Sequence, residues 1–539
     1  MELVKGQMSD LEEVAGKSAR GSLYLFLGSF ISEAINAIGV VVVSRFLTPG
    51  EFGLFGLTLV LPGIFLMFTN WGIGSALTRF LARYAADEQW DNARRTVYLG
   101  YLFKGTVSLF LSAILFLFSE PLASFVLKRP DLGGLVRMAS VLVVLQSLYV
   151  ASNAIFYGLE RMRMIAIILI LQSAVKASSS YFLLIRGYGV TGALSGHILG
   201  FGVGVITAFL LIFGLVLRGK TSEGDRGTTS SLSEMLRFGF PLFLGNFVTT
   251  MGMRYQRLLL AWFTSDIEIG NLNVANKFVS LITLFTVPIA SVVYPAFSKF
   301  NYKEQPGEME RLFKASVRYA TLLVIPATAL IMVLSEDFVY TLFDRRYALA
   351  PEFLVLVLLQ FLVVGVGSLS VYSFLNSQGD TATTFRLNLL NAALKVSLCT
   401  FLIWKMGAPG LLLALFISEL IGRAVNLYTL RARYGINVDL EYLTKVVAFT
   451  ALSAMATYTL LRTLDFSSNF LNITLGSIIF LILCMILAPL TGALGFNDIH
   501  IIRRLLKREP IIYPVISPFL SFEERMIAFI GREKTDEGT

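Results

Sequence analysis

A few charged residues stand inside long apolar stretches, and their spacing sets the chemistry open to the chain. Lys176 and Lys395 each sit mid-run, and each shortly precedes a related motif, Gly189-Val-Thr-Gly192 or Gly407-Ala-Pro-Gly410. Asn391 lies one helical turn before Lys395. Arg254 and Arg257 share one helical face with Asn246 and Thr250, and Lys277 follows Asn273 and Asn276. An ionisable group in hydrocarbon is costly, so it faces a cavity or a partner. Several cations around a water-filled cavity suit an anion, most simply a phosphate or pyrophosphate. The competing reading is snorkelling toward an interface or helix-to-helix pairing. It is the preferred one for Arg79, Arg83 and Lys104, near the ends of their runs.

Mid-run acids are few. Glu33 shares a face with Ser29 and Asn36, and Glu419 with Arg423 and Asn426. Either acid can bind H⁺ or Na⁺ and couple a gradient to movement. Glu419 is also one turn from Arg423, a spacing that allows a structural ion pair. That pairing is the preferred reading for Glu419, while for Glu33 both readings stand equal. Catalytic and metal chemistry find no residues. His197 and His500 are far apart, and Cys399 and Cys484 lie singly in apolar runs. Gly16-Lys-Ser18 is the end of a P-loop pattern, but Leu11 occupies the place of its first glycine. The segment 335–350, with Asp337 and Asp344, is too short for the substrate domain of a membrane glycan polymerase or ligase. The chain is therefore read as a non-enzyme with no metal and no cofactor beyond a coupling H⁺ or Na⁺.

The elements that must hold these residues are membrane helices. Of 539 residues, 55% are hydrophobic and 15% charged, against about a quarter charged in soluble proteins. The mean hydropathy is +0.71. A crossing needs roughly 20 mostly apolar residues, and the sequence offers about fourteen. They lie near 22–45, 53–78, 97–118, 136–158, 163–185, 189–217, 237–263, 270–297, 315–334, 351–376, 383–404, 408–430, 443–463 and 469–492. The expected fold is all-α and integral to the membrane. Residues 1–21 are polar and lack the apolar core of a signal peptide. Residues 218–236, rich in Gly, Ser and Thr, read as a flexible linker. The net charge of +9 is spread through short gaps rather than a soluble domain, which argues against nucleic acid as a partner and for membrane lipid.

Lys and Arg set the orientation. With an inside N-terminus, Arg94, Arg95, Arg161, Arg163, Arg218, Lys220, Lys303, Lys314, Arg431 and Arg433 all fall inside. Thr264-Ser-Asp-Ile-Glu-Ile269, without Lys or Arg, falls outside. An even number of spans returns the C-terminus inside, where residues 497–539, with Arg503, Arg504, Lys507 and Arg508, read as an amphipathic surface tail. The expected location is the cytoplasmic membrane, with both termini cytoplasmic.

The chain also repeats. Phe46-Leu-Thr-Pro-Gly-Glu-Phe-Gly53 parallels Phe263-Thr-Ser-Asp-Ile-Glu-Ile-Gly270, with Phe80 and Phe297 in the same register. Six spans separate equivalent positions, so the halves share one topology about an axis along the membrane normal. This divides the chain into six-helix lobes at 22–217 and 237–430, plus two extra helices at 431–496. Lys176 and Lys395 are then expected on opposite walls of a shared cavity.

Ser44-Arg-Phe-Leu-Thr-Pro-Gly-Glu-Phe-Gly53, followed by Gly72-Ile-Gly-Ser-Ala76 and Arg79, resembles the Wzx-like oligosaccharide flippases of the polysaccharide-biosynthesis family. These belong to the multidrug/oligosaccharidyl-lipid/polysaccharide exporter (MOP) superfamily. Tyr255-Gln-Arg-Leu-Leu-Leu260, Gly270-Asn-Leu-Asn273-Val-Ala275, Pro295 and Gly407-Ala-Pro-Gly410 extend the resemblance over roughly 17–495. It implies a flippase that moves a polyprenyl-(pyro)phosphate-linked oligosaccharide from the cytoplasmic to the outer leaflet by alternating access. The glycan would serve surface polysaccharide or glycoprotein assembly, with the flippase a monomer beside glycan-assembly enzymes. Where that family often has Asp before the seventh-span Arg, this chain has Gln256, which leaves Arg257 freer for a ligand. The alternatives are a multidrug/cation antiporter of the same superfamily, a lipid II flippase, and a membrane glycan polymerase or ligase. The mid-span lysines argue against the antiporter.

Overall fold

A computed structural model describes residues 2–217, 232–367, 369–464, 466, 468–507 and 513–536. The expected linker, with Arg218 and Lys220, falls largely outside them. Every regular element among the described residues is helical. The chain forms two compact units, Met1–Asn273 and Val274–Thr539. The boundary falls inside a helix, Asp266–Ser298, rather than at the linker.

The first unit opens with α1 (Glu2–Phe46), which carries the first span. The second expected span is three helices, α2 (Pro49–Thr58), α3 (Val60–Met67) and α4 (Ile73–Ala86). It breaks at 68–72, where Trp71 (φ 41°) and Gly72 (φ 77°) take left-handed backbone. There follow α5 (Trp90–Leu117), the single turn α6 (Ser119–Pro121), α7 (Gly133–Ala139), α8 (Val141–Gly158), α9 (Met162–Ile185) and α10 (Gly189–Ile212). Then come α11 (Leu232–Phe263) and the start of α12 (Asp266–Ser298). Helices α9 and α10 share the most extensive packing in the unit. A Cβ on Gly200 would come within 2.6 Å of the Lys176 Cβ, an approach that only a small residue permits.

The second unit holds the rest of α12, then α13 (Pro306–Val333), α14 (Ser335–Leu342), α15 (Ala350–Leu362), α16 (Val371–Ser377) and α17 (Thr381–Tyr434). It ends with α18 (Leu440–Leu464), α19 (Asn469–Leu490), α20 (Phe496–Leu506) and α21 (Tyr513–Asp536). Helix α17 is two limbs, because Gly407 (φ 61°, ψ −132°) breaks it. Helix α18 packs on α13 and α19, and α21 on α19 and α20.

Among the described residues, ten helices are long and apolar enough to cross a bilayer, or eleven counting Ala350–Val366 with Val371–Ser377, bent by 47°. Fourteen were expected. Part of the difference is the kink at Gly407, which leaves two expected spans counted as one helix. The expected spans at 237–263 and 270–297 are occupied by α11 and α12. These have 32 and 33 residues, enough at about 1.5 Å each to exceed a hydrocarbon core of roughly 30 Å.

The repeat has local structure to match. At the start of α2, Thr48 N–H donates to Glu51 Oε2 (2.8 Å) and Glu51 N–H to Thr48 Oγ1 (3.3 Å). At the start of α12, Ser265 N–H donates to Glu268 Oε2 (3.1 Å) and Glu268 N–H to Ser265 Oγ (3.3 Å). Each is a capping box, in which a hydroxyl and a carboxylate satisfy each other's helix-start amides. The two glycines that follow meet each other. A side chain on Gly53 would overlap the Asp266 carbonyl, and one on Gly270 would overlap the Pro49 carbonyl. Gly189 and Gly407, paired by the second motif, both take positive φ, 51° and 61°.

Candidate functional site

The break in the second span shapes a cavity in the first unit. Helix α3 ends at Met67, and the turn through Trp71 and Gly72 sends the chain on into α4, leaving Asn70 at the gap. From α5, the Lys104 Nζ donates to Asn70 Oδ1 at 3.4 Å. Lys104 is 1% exposed. From α11, Thr250 and Arg254 close the other side, and Phe243, Phe247 and Val150 add apolar wall. The cavity is about 210 Å³. Gly63 of α3 makes room for the arginine, since a Cβ there would lie 2.5 Å from Arg254 Nη1. Two cations and an amide thus line a space whose described lining includes no carboxylate. With apolar walls lowering the local dielectric, the unneutralised charge favours an anion strongly.

Of the residues singled out in the sequence, Arg254 lines this cavity and Arg257 does not. Arg257 is one turn on and exposed. The Asn246 side chain lies outside the described ones. Lys176 is half-buried on α9 against Gly200, away from the cavity lining. Asn273 lies against Gly56. Asn276 and Lys277, exposed on α12, belong to the second unit. Glu33 is exposed on α1, one turn from the half-buried Asn36.

Lys395 and Asn391 also belong to the second unit, in a polar cluster between the limbs of α17. Glu419 accepts from Arg423 and, at 3.5 Å, pairs with Lys395. Asn391 Nδ2 donates to the Tyr372 hydroxyl at 2.7 Å, and the Arg423 guanidinium lies 5.8 Å from the centre of that ring. Gly422 leaves the space that Asn391 fills. Lys395 therefore has a carboxylate partner within its own unit, which a reading from spacing did not anticipate. Among the described residues, no group of three His, Cys, Asp or Glu side chains converges as a metal site.

For Lys104 the preferred reading is snorkelling or helix-to-helix pairing, and the structure has it buried and donating to Asn70 rather than reaching an interface. The signal was present: Gly100, Lys104, Ser108 and Ser112 recur every four residues, and all four are buried. Small and polar residues at that period mark a helix face turned into protein.

Interrupted helices around a polar cavity are the architecture of a membrane transporter. The fold agrees. The chain superposes on the lipid II flippase MurJ in an inward closed conformation with a TM-score of 0.68, covering 86% of this chain and 99% of that one at 15% identity. It superposes on an inward-facing multidrug resistance MATE transporter of the MOP superfamily with a TM-score of 0.59, covering 75% and 94% at 15% identity. The molecule thus has a polytopic, all-α membrane fold of the MurJ/MATE type. The lipid II flippase MurJ family model matches residues 164–482. The polysaccharide biosynthesis protein model matches residues 18–301, more than half of the chain, which belongs to that family. The chain is 21% identical to a putative O-antigen transporter of Shigella dysenteriae over 54% of its length and 72% of the relative's. It is 24% identical to the succinoglycan biosynthesis transport protein ExoT of Rhizobium meliloti over 58% of its length and 60% of the relative's. A probable low-salt glycan biosynthesis flippase, Agl15, of Haloferax volcanii is 25% identical over 32% of this chain and 36% of its own.

Proposed function

We propose that the protein is a flippase for a polyprenyl-(pyro)phosphate-linked oligosaccharide, carried from the cytoplasmic to the outer leaflet by alternating access. The observation that carries this reading is the pairing of Lys104 with Arg254 in a cavity whose described lining has no carboxylate. The phosphate would be held there by charge-assisted hydrogen bonds, with Arg254 able to offer two parallel donors. Family membership and the glycan-related names of the relatives support the cargo class. Such a cavity repels a cationic drug, which disfavours the antiporter. Arg257, Lys176, Lys277, Asn273 and Asn276 are proposed as later contacts of the glycan or phosphate along its path. Fourteen crossings, as two six-helix lobes with a terminal pair and both termini cytoplasmic, complete the reading. Glu419, held by Arg423 and Lys395, is assigned a structural role. Glu33 is the proposed coupling residue for H⁺ or Na⁺.

The test is translocation of a fluorescent polyprenyl-pyrophosphate oligosaccharide in proteoliposomes. Lys104→Met and Arg254→Gln are each expected to slow flipping by at least about tenfold, the loss of one charge-assisted contact at roughly 1.5–3 kcal/mol. Wild-type rates in both variants would overturn the cavity assignment.

A further inference from the structure

A second pocket, in the second unit, is unrelated to the cavity above. It lies where α13 and α18 begin and α20 follows α19, and it encloses about 360 Å³. Arg311, Lys314 and Arg318 line it from one face of α13, at positions i, i+3 and i+7. Its two acids are already engaged. Asp439 caps α18 by accepting from Tyr442 N–H at 2.9 Å. Asp498 pairs with Arg318 and accepts from Gly495 N–H at 2.9 Å. The cations are less committed. Among the described residues, Arg311 and Lys314 pair with Glu308 (3.1 Å) and Glu310 (2.7 Å) on their own helix, at exposed positions where such pairs are weak. Arg318 lies 4.5 Å from the centre of the Tyr442 ring, and its buried Nε–H has no hydrogen-bond partner among the described residues. Its side chain remains 39% exposed.

Depth supplies the rest. Helix α13 begins Pro306-Gly-Glu-Met-Glu-Arg311 and carries no charge after Arg318. Helix α18 carries Glu441 and Lys445, then no charge until Arg462. Arg318, Tyr319 and Tyr442 therefore sit where each helix passes from polar to apolar sequence, the level that tyrosines and snorkelling cations occupy at a membrane surface. Phe313, Val317 and Leu443 give the same pocket an apolar wall.

We infer that this pocket holds the phosphate headgroup of an anionic membrane phospholipid, with Arg311, Lys314 and Arg318 around the phosphate and the acyl chains against the apolar wall. Basic pockets between membrane helices recognise lipid phosphates in this way. The inference rests on the second unit alone and does not depend on the transport reading. Native mass spectrometry of the full-length protein in detergent, titrated with phosphatidylglycerol, phosphatidylcholine or glycerol phosphate, tests it. Wild type is expected to bind phosphatidylglycerol about tenfold more tightly than phosphatidylcholine. Arg311→Gln with Lys314→Gln should remove most of that preference, and Lys405→Gln, outside the pocket, should keep it. The double variant carries the test because Arg318 also anchors Asp498. An unchanged preference in the folded double variant overturns the site. Displacement of phosphatidylglycerol by equal glycerol phosphate overturns the lipid and assigns a free anion instead.

Discussion

At the scale of single residues, the first unit's cavity separates charge from shape. Lys104 is a nearly inaccessible ammonium, and burying an ion without a carboxylate partner is costly. Lys104→Met is therefore expected to leave the unfolding temperature unchanged or higher while transport falls, which differential scanning fluorimetry beside the flipping assay would read. Gly63→Ala tests position without removing a charge. The new methyl would stand 2.5 Å from Arg254 Nη1, the far end of a flexible side chain, so the guanidinium moves and the helix stays. Stability should change by less than about 1 kcal/mol, as for a site able to relax, while flipping drops. Equal flipping by the Gly63→Ala protein and wild type would mean that Arg254's position is immaterial. Spacing made Arg254 and Thr250 legible in the sequence, since both lie on one polar face of α11. The depth of Lys104 was less legible, because distance from the end of an apolar run is a poor guide to burial when a broken neighbouring helix covers it. Nor could spacing show that Glu419 draws in Lys395 as well as Arg423, because that pair joins two limbs brought together by the bend at Gly407.

At the scale of elements, α2 and α12 start alike and cross through glycine. Gly53→Ala places a methyl onto a backbone carbonyl that cannot rotate away, an overpacking expected to cost about 1–3 kcal/mol. Gly105→Ala on α5, with nothing within 4 Å of the added carbon, is the matched control and should be near neutral. Helix α21 offers a different lever. Burial pushes the Glu523 carboxyl up to about 7, against about 4.3 in an unfolded chain. The docked helix thus favours the protonated acid, so docking is strongest below about 4.3 and weakens as pH rises through about 7. Cys484 of α19 lies near this carboxyl, and Arg503 pairs with the neighbouring Glu524 at 2.9 Å. The protection factor for amide exchange over 513–536, which divides out the intrinsic pH dependence of exchange, should be lower at pH 8 than at pH 5.5, and Glu523→Gln should abolish the difference. The apolar runs and the repeat made most helices legible. The interruptions were less so: 53–78 reads as one apolar run, yet its chain turns at Trp71 and Gly72.

At the scale of the whole molecule, the proposed fourteen crossings fix which surfaces face the medium. Ile267, 56% exposed, lies in a segment without Lys or Arg, whereas Lys303 lies in a basic one. In a cysteine-free background, Ile267→Cys is expected to react with an impermeant maleimide in intact cells, and Lys303→Cys only after permeabilisation. The reverse pattern would invert the topology. The repeated motif has a further consequence. Gly53 bears on the carbonyl of Asp266, and Gly270 on that of Pro49, its counterpart in the other copy. This is an isologous contact of the kind that joins identical subunits, folded here into one chain. Each glycine guards the same crossing from opposite sides, so the two sites are not independent. A methyl at either one opens the gap that the other needs. Gly53→Ala and Gly270→Ala together should therefore destabilise by less than the sum of their separate effects, a coupling that a double-mutant cycle measures directly.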